Sequence, residues 1–355
     1  MRRLVDSVLV TNAGDRVILS TGSCDGLSLR GDLDRVERAV TLLRDGVDDS
    51  EINADRVPAD LVAALTHMGW LTSEPRRTPA ESTGRPGYLT LFAPGAPELQ
   101  SRIAACSIML LGVGGIGAVA AQHLVAAGVG RIVAVDPGVV EPHDLNGQPP
   151  YPMTAVGTPK VEALSGWLRG FAPETEVVPV RRRVASGADL DGLPQVDLVL
   201  IGADEPTEPA DESAGPADEP AEPADESAGP ADGPAGLGDV VWRWCRERGV
   251  AMSGVAVGDG HGYWGPLLSP RHGHCRGCFE REAGLSRERP PEGGHGPTPW
   301  SFGATSTVVA AWAVHDIVQY AATSECHTLN RRAHLDFAHG ELHFLDGPRR
   351  CSCNR

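Results

Sequence analysis

The chain has 355 residues, enough for two domains, one with a sizeable core. Lys+Arg 31 against Asp+Glu 47 gives a net charge of −16, which argues against nucleic acid or an anionic membrane as the main partner. No hydrophobic run is long enough to span a bilayer, and "MRRLVDSVLV" is too short for a cleavable signal peptide. The expected location is therefore cytoplasmic, where the eight cysteines point to metal ligands or buried thiols rather than disulfides.

Residues 1–72 read as a small α+β domain. Three short alternating pieces, "SVLVTN", "RVILST" and "LSLRG", are separated by turn-like "NAGD" and "GSCDG" and predict three strands. Two helices are expected next, "DLDRVERAVTLLRDG" and "VPADLVAALTHMGWL", with "DDSEINAD" as a short linking helix. Strands with a helical trio suggest a winged-helix-like shape; the alternative is an ordinary packing or dimerisation domain. Residues 73–98, rich in Pro, Gly and Ser, read as a linker.

Residues 99–355 alternate strand and helix, which predicts an α/β domain with a parallel sheet. Its strands are "SIMLL", "RIVAVD", "TEVVPVRRRV", "VDLVLIGAD" and "AMSGVAVG", and "GYWGPLLSP" is a further candidate. Helices are expected over Gly115 to Gly128, "TPKVEALSGWLRGFAP", "LGDVVWRWCRERGV" and the mostly apolar "SFGATSTVVAAWAVHDIVQYAAT", the last expected to be buried. "HLDFAHGELHFL" reads as a hairpin. The insertion at 205–236 contains "EPADESAGPAD" twice, at 208–218 and 222–232, and ten carboxylates without a Lys or Arg. That composition cannot bury enough apolar area to offset chain entropy, so disorder is expected there. It begins directly after Asp204, at the carboxyl end of a predicted strand, the edge where α/β sheets bind ligands.

Two groups of residues carry chemistry. In "GVGGIG" the glycines Gly112, Gly114, Gly115 and Gly117 allow a tight strand-to-helix turn whose amides face an anion. Asp136 follows about 20 residues later at the end of the next strand, where an acid accepts hydrogen bonds from ribose hydroxyls. These features fit NAD, FAD or ATP alike, and a Rossmann-like scaffold without a nucleotide is the alternative. The second group is "CRGC" (Cys275, Cys278) with "CSC" (Cys351, Cys353), two close thiolate pairs far apart in sequence, as in a tetrahedral structural zinc site. Unliganded or redox-active thiols are the alternative. Cys245 and Cys326 show no sign of a catalytic role.

The stretch "GVGRIVAVDPGVVEPHDLNGQ…GTPKVEAL…DLVLIGAD" resembles the ThiF/MoeB adenylyltransferases and ubiquitin-activating enzymes over residues 99–280. The resemblance implies ATP and magnesium, with the C-terminal carboxylate of a peptide or small protein adenylated. It implies that Asp136 holds the ribose, Lys160 the phosphates and Asp204 the magnesium, with Asn146 and Gln148 of "HDLNGQ" lining the nucleotide pocket. In that motif His143 replaces a serine, Asp144 an asparagine, and Gly147 the arginine that grips the triphosphate. Arg102 is the one candidate for a second missing arginine, and Asp204 is followed by Glu205 instead of asparagine. Fewer cations and more anions point to a weakened adenylation site. The family also commonly carries a four-cysteine zinc and forms homodimers.

"GPLLSPRHGHCRGCFERE" is similar to the ThiF-like leader-peptide-binding, or cyclodehydratase-domain, proteins of thiazole/oxazole-modified bacteriocin clusters. That resemblance implies a winged-helix peptide clamp at the N-terminus and a YcaO-type partner enzyme that performs the ATP-dependent step. In such clamps the precursor's leader adds a strand to the third strand and lies on the third helix. Leu27, Leu29, Leu61 and Leu65 are the matching candidates to line the groove; each is otherwise a core residue. An active adenylyltransferase forming a peptidyl-AMP is the competing function.

Overall fold

The computed structural model describes residues 1–5, 8–21, 26–73, 88–89, 92, 96–202, 236–258, 260–284, 302–349 and 351. The chain divides into two units, Met1–Arg102 and Ile103–Arg355. Most of the linker reading, the acidic insertion, Asp204 and Cys353 lie outside the described residues.

In the first unit β1 (Arg3–Leu4) pairs antiparallel with β5 (Leu71–Thr72). Between them β2 (Leu9–Asn12), β3 (Val17–Ser20) and β4 (Gly26–Leu29) form an antiparallel sheet in that order. Val17 and Leu19 are buried while Ile18 and Ser20 are only half-buried, the period of two of a sheet covered on one face. Helix α1 (Leu33–Asp45) buries Ala39, Val40 and Leu43. The Asp32 carboxylate caps it by accepting the Arg35 N–H at 3.2 Å. A 3-10 turn, Asp49–Glu51, leads to α2 (Ala59–His67). The apolar pattern extends this helix to Leu71, but Gly69 takes a left-handed conformation and releases Leu71 into β5.

After α3 (Ala96–Ala105), strands and helices alternate: β6 (Ser107–Leu111), α4 (Gly115–Ala127), β7 (Arg131–Val135), α5 (Lys160–Phe171), β8 (Glu176–Val180) and β9 (Leu198–Ile201). There follow α6 (Leu237–Arg248), β10 (Ala251–Gly258), β11 (His261–Trp264), α7 (Arg276–Glu282), α8 (Gly303–Thr323), β12 (Arg331–Asp336) and β13 (Glu341–Asp346). The sheet order is β13-β12-β11-β10-β9-β6-β7-β8. Its β10-to-β8 half is parallel, as expected from crossover helices, but β11, β12 and β13 run antiparallel. Short hairpin links rather than helices join β10 to β11 and β12 to β13, which permits only that direction. Residues of β6 are buried on both faces, the pattern of a central parallel strand.

The core between sheet and α6 contains Met109, Leu111, Val133, Val199, Val241, Trp244 and Leu268. Helix α4 buries seven of its residues because α8 covers the side that the sheet does not. Helix α8 departs from its expected full burial: Val309, Ala313 and Ile317 are buried, whereas Val308 and Trp312 are exposed.

Candidate functional site

The loop between β6 and α4 lies at the carboxyl edge of the parallel strands. Gly112 adopts φ 89°, which favours glycine. A Cβ on Gly117 would sit 1.9 Å from the Gly112 carbonyl oxygen, and one on Gly115 would sit 2.8 Å from that of Gly147. The glycines therefore let the helix start press against both the loop and the 146–148 segment. Gly114 caps α4 without a side-chain hydrogen bond, which leaves the first-turn amides of a 13-residue helix facing outward for an anion.

Asp136 follows β7 and secures this loop. Its Oδ2 accepts the Val113 N–H at 2.9 Å, and its Oδ1 accepts the Gly138 N–H at 2.7 Å. Tyr151 completes the brace by donating its hydroxyl to the Val113 carbonyl at 2.5 Å. Burial, with Asp136 and Asp144 nearby, pushes the Tyr151 phenol up, so its proton stays in that bond. Tyr151 is a site residue that sequence patterning misses, since a lone tyrosine between prolines has neither periodicity nor ligand spacing.

Asp144 is the hub of the opposite wall. It lies in a 3-10 turn, Pro142–Asn146, and its side chain is 3% exposed. Oδ2 accepts the Glu141 N–H at 2.8 Å, while Oδ1 accepts from Lys160 Nζ at 3.0 Å and from Gln148 Nε2. From sequence, Asp144 counts as an added anion; in the fold its charge is held by Lys160, whose own side chain is 15% exposed. The cation nominated for phosphate thus already has a partner. Asn146 ends the same turn. Gly147 has φ −122°, a conformation open to any residue, so it supplies no special geometry and no charge. Arg181 donates from Nε to the Pro137 carbonyl at 3.4 Å, one residue beyond Asp136, a cation that motif matching overlooks.

These residues fit a nucleotide in part. The outward helix amides and the glycine cradle suit a phosphate, and among the described residues the buried Gln148 Oε1 has no hydrogen-bond partner, an acceptor that a ligand hydroxyl or amine can satisfy. Gly202, at the end of β9, lies against the glycine loop. The proposed magnesium ligand Asp204 is outside the described residues. A cavity of about 240 Å³ opens beside Ile201 at the end of β9 and along Met252, Gly254 and Val255 of β10. Arg276 there pairs with Glu280 at 2.8 Å, and the Arg332 guanidinium stacks 3.5 Å over Tyr263.

The structure brings three of the four nominated cysteines together. Cys275, Cys278 and Cys351 have sulfurs within 4.8 Å of one another, with Cys278 and Cys351 at 3.5 Å. Thiolates on one tetrahedral zinc stand about 3.8 Å apart, so these three fit a shared metal. Burial and sharing of hydrogen bonds with Cys278 and Cys351 push the Cys275 thiol up to about 12. A bound cation would reverse that. The Cys106, Cys245 and Cys326 thiols are each pushed up to about 12, chiefly by burial.

In the first unit Leu27 and Leu29 are half-buried on β4, while Leu61 is nearly and Leu65 fully enclosed on α2. All four belong to or pack against one apolar cluster. Among the described residues no strand pairs with the outer edge of β4.

Residues 89–208 match the ThiF family, and the chain carries a ThiF-family domain there. The sequence is 38% identical to the SAMP-activating enzyme E1 of Haloferax volcanii over 108 residues, 30% of this chain and 40% of that protein. It is 36% identical to the sulfur carrier protein adenylyltransferase of Thermus thermophilus over the same shares. The chain thus spans about two fifths of these curated relatives. Among solved structures, the microcin C7 biosynthetic enzyme MccB in complex with N-formylated MccA aligns with a TM-score of 0.76 at 16% identity, covering 99% of this chain and 98% of that one. Escherichia coli MccB with ATP aligns at 0.73 and 18% over the same shares. At such identity the likeness is one of fold, and it extends over both units.

Proposed function

We propose that this protein captures a ribosomally made precursor peptide and presents it to a separate YcaO-type cyclodehydratase. The reading rests on the combination, in one chain, of a small unit in which, among the described residues, no strand pairs with the outer edge of β4, and a ThiF-type unit with Gly147 in place of the expected arginine. In this reading residues 1–72 are a winged-helix-like clamp. The leader pairs with β4 as an added strand, touching Leu27 and Leu29, while Leu61 and Leu65 shape the groove from beneath. Whole-length likeness to MccB, solved with the peptide MccA, supports a peptide ligand. Gly147 and the Lys160–Asp144 pair support a cleft that no longer drives adenylation. The ThiF unit serves as a homodimeric scaffold, and Cys275, Cys278, Cys351 and Cys353 hold a structural zinc.

The second reading, an ATP-dependent adenylyltransferase forming a peptidyl-AMP, is favoured by the intact glycine loop and by Asp136 and Lys160 on its two walls. ATP–pyrophosphate exchange with magnesium, with and without a candidate precursor peptide, separates the two. Leader binding without exchange is the expected result. Peptide-dependent exchange that disappears in Asp204→Ala would replace the first reading with the second.

A further inference from the structure

Asp316 is among the most deeply buried charged groups of the molecule. Its side chain is 1% exposed, and among the described residues its ion-pair partners are histidines alone, with no Lys or Arg. A carboxylate so placed is costly unless a cation or several hydrogen bonds hold it. Helix α8 ends where Ser324 takes a left-handed conformation, and the chain turns back so that His327 and Thr328 meet the helix at Asp316. Thr328 donates its hydroxyl to Asp316 Oδ2 at 2.7 Å. The other oxygen, Oδ1, faces two ring nitrogens: His315 Nδ1 at 3.5 Å and His327 Nδ1 at 3.3 Å.

We propose that His315, Asp316 and His327 form a divalent transition-metal site, separate from the cysteine cluster and independent of the peptide-binding reading. The three ligand atoms lie within 4.8 Å of one another. Nitrogen and oxygen ligands on one tetrahedral zinc stand about 3.3 Å apart, so the two histidine-to-carboxylate spacings already match. The two imidazole rings are inclined at 29° with centroids 5.8 Å apart, and their ligand nitrogens lie within 4.8 Å of each other. The Thr328 hydroxyl is the outer partner that fixes the carboxylate with Oδ1 turned to the metal. Two imidazoles and a carboxylate suit zinc or cobalt rather than calcium or magnesium. His327 is 60% exposed and His315 23%, which gives an ion an entry path and leaves room for water as a further ligand. Bound there, the ion ties the body of α8, two turns before its end, to the segment entering β12.

The test is cobalt titration of the full chain after chelator treatment, in wild type and in a Cys275→Ser/Cys278→Ser background that removes thiolate ligands. In that background the proposal requires one cobalt per chain, with visible ligand-field bands and no thiolate charge-transfer band. Because Trp312 lies 5.7 Å from His315, paramagnetic cobalt should also quench tryptophan fluorescence. His327→Ala, at an exposed position, should weaken binding by at least about tenfold, since loss of even an outer partner often costs that much. Asp316→Asn is the second variant and should do the same without His327 being touched. Bound cobalt whose spectrum is wholly thiolate, or an affinity unchanged in both variants, overturns the site.

Discussion

If Lys160 is the cation that meets phosphate, Asp144 is its competitor, and Asp144→Asn should strengthen nucleotide binding. Lys160 Nζ lies 3.0 Å from Asp144 Oδ1, with side chains 15% and 3% exposed, so solvent screens the pair little. A hydrogen bond between charged groups contributes about 1.5–3 kcal/mol, which a phosphate must displace to recruit the lysine. At about 1.4 kcal/mol per tenfold, removing the anion should tighten Mg–ATP binding roughly 10- to 100-fold. Asparagine can keep its one oxygen on the Glu141 N–H that caps the 3-10 turn, giving up the bond from Gln148 Nε2, and a thermal melt checks that the turn holds. Calorimetric titration of the full chain with a non-hydrolysable ATP analogue reads the effect. The gain should vanish when Lys160→Met is added. A folded Asp144→Asn protein with unchanged affinity, or a gain that persists without Lys160, would refute the competition.

Four further outcomes follow from the same geometry. Gly117→Ala places a Cβ against the Gly112 carbonyl and should cost about 2–3 kcal/mol, read as a loss of roughly 5–10 °C in Tm. Tyr151→Phe strips the Val113 carbonyl of its buried donor; denaturant unfolding should show about 1–2 kcal/mol of lost stability. Elemental analysis of Cys278→Ser should find one zinc fewer per chain than in wild type, and an equal zinc content would argue against the cysteine site. His334 is held below the ordinary histidine range, first by burial and then by Arg332, His261 and His343. The unfolded chain therefore takes up this proton first, and stability should fall as pH drops through about 6.5 toward the lower folded value. His334→Gln should flatten that slope in melts between neutral and mildly acid pH.

The glycine loop was legible because its requirement is local: Gly117 must admit a carbonyl oxygen, and no other residue type can. Strands β6 and β7 were equally plain, since continuous apolar runs bounded by turns announce a buried parallel sheet. Asp144 was visible as a residue but not as half of a pair, because Lys160 is 16 residues away and only the packing of α5 brings it back. His315, Asp316 and His327 escaped for a related reason. Two sit inside an apolar helix, and the third joins them only after the turn at Ser324. Leu65 shows the opposite limit: its helical spacing identifies an apolar face, but whether that face meets core or ligand depends on what covers it, and here the core encloses it.

The most direct test of peptide capture is hydrogen exchange on the full chain, with and without a synthetic leader from a candidate precursor, beside a calorimetric titration of the same peptide. The account predicts saturable binding, with slowed exchange concentrated in β4, Gly26–Leu29, and along α2. Binding that leaves those amides unprotected, or no binding by a precursor whose processing depends on this protein, would contradict it.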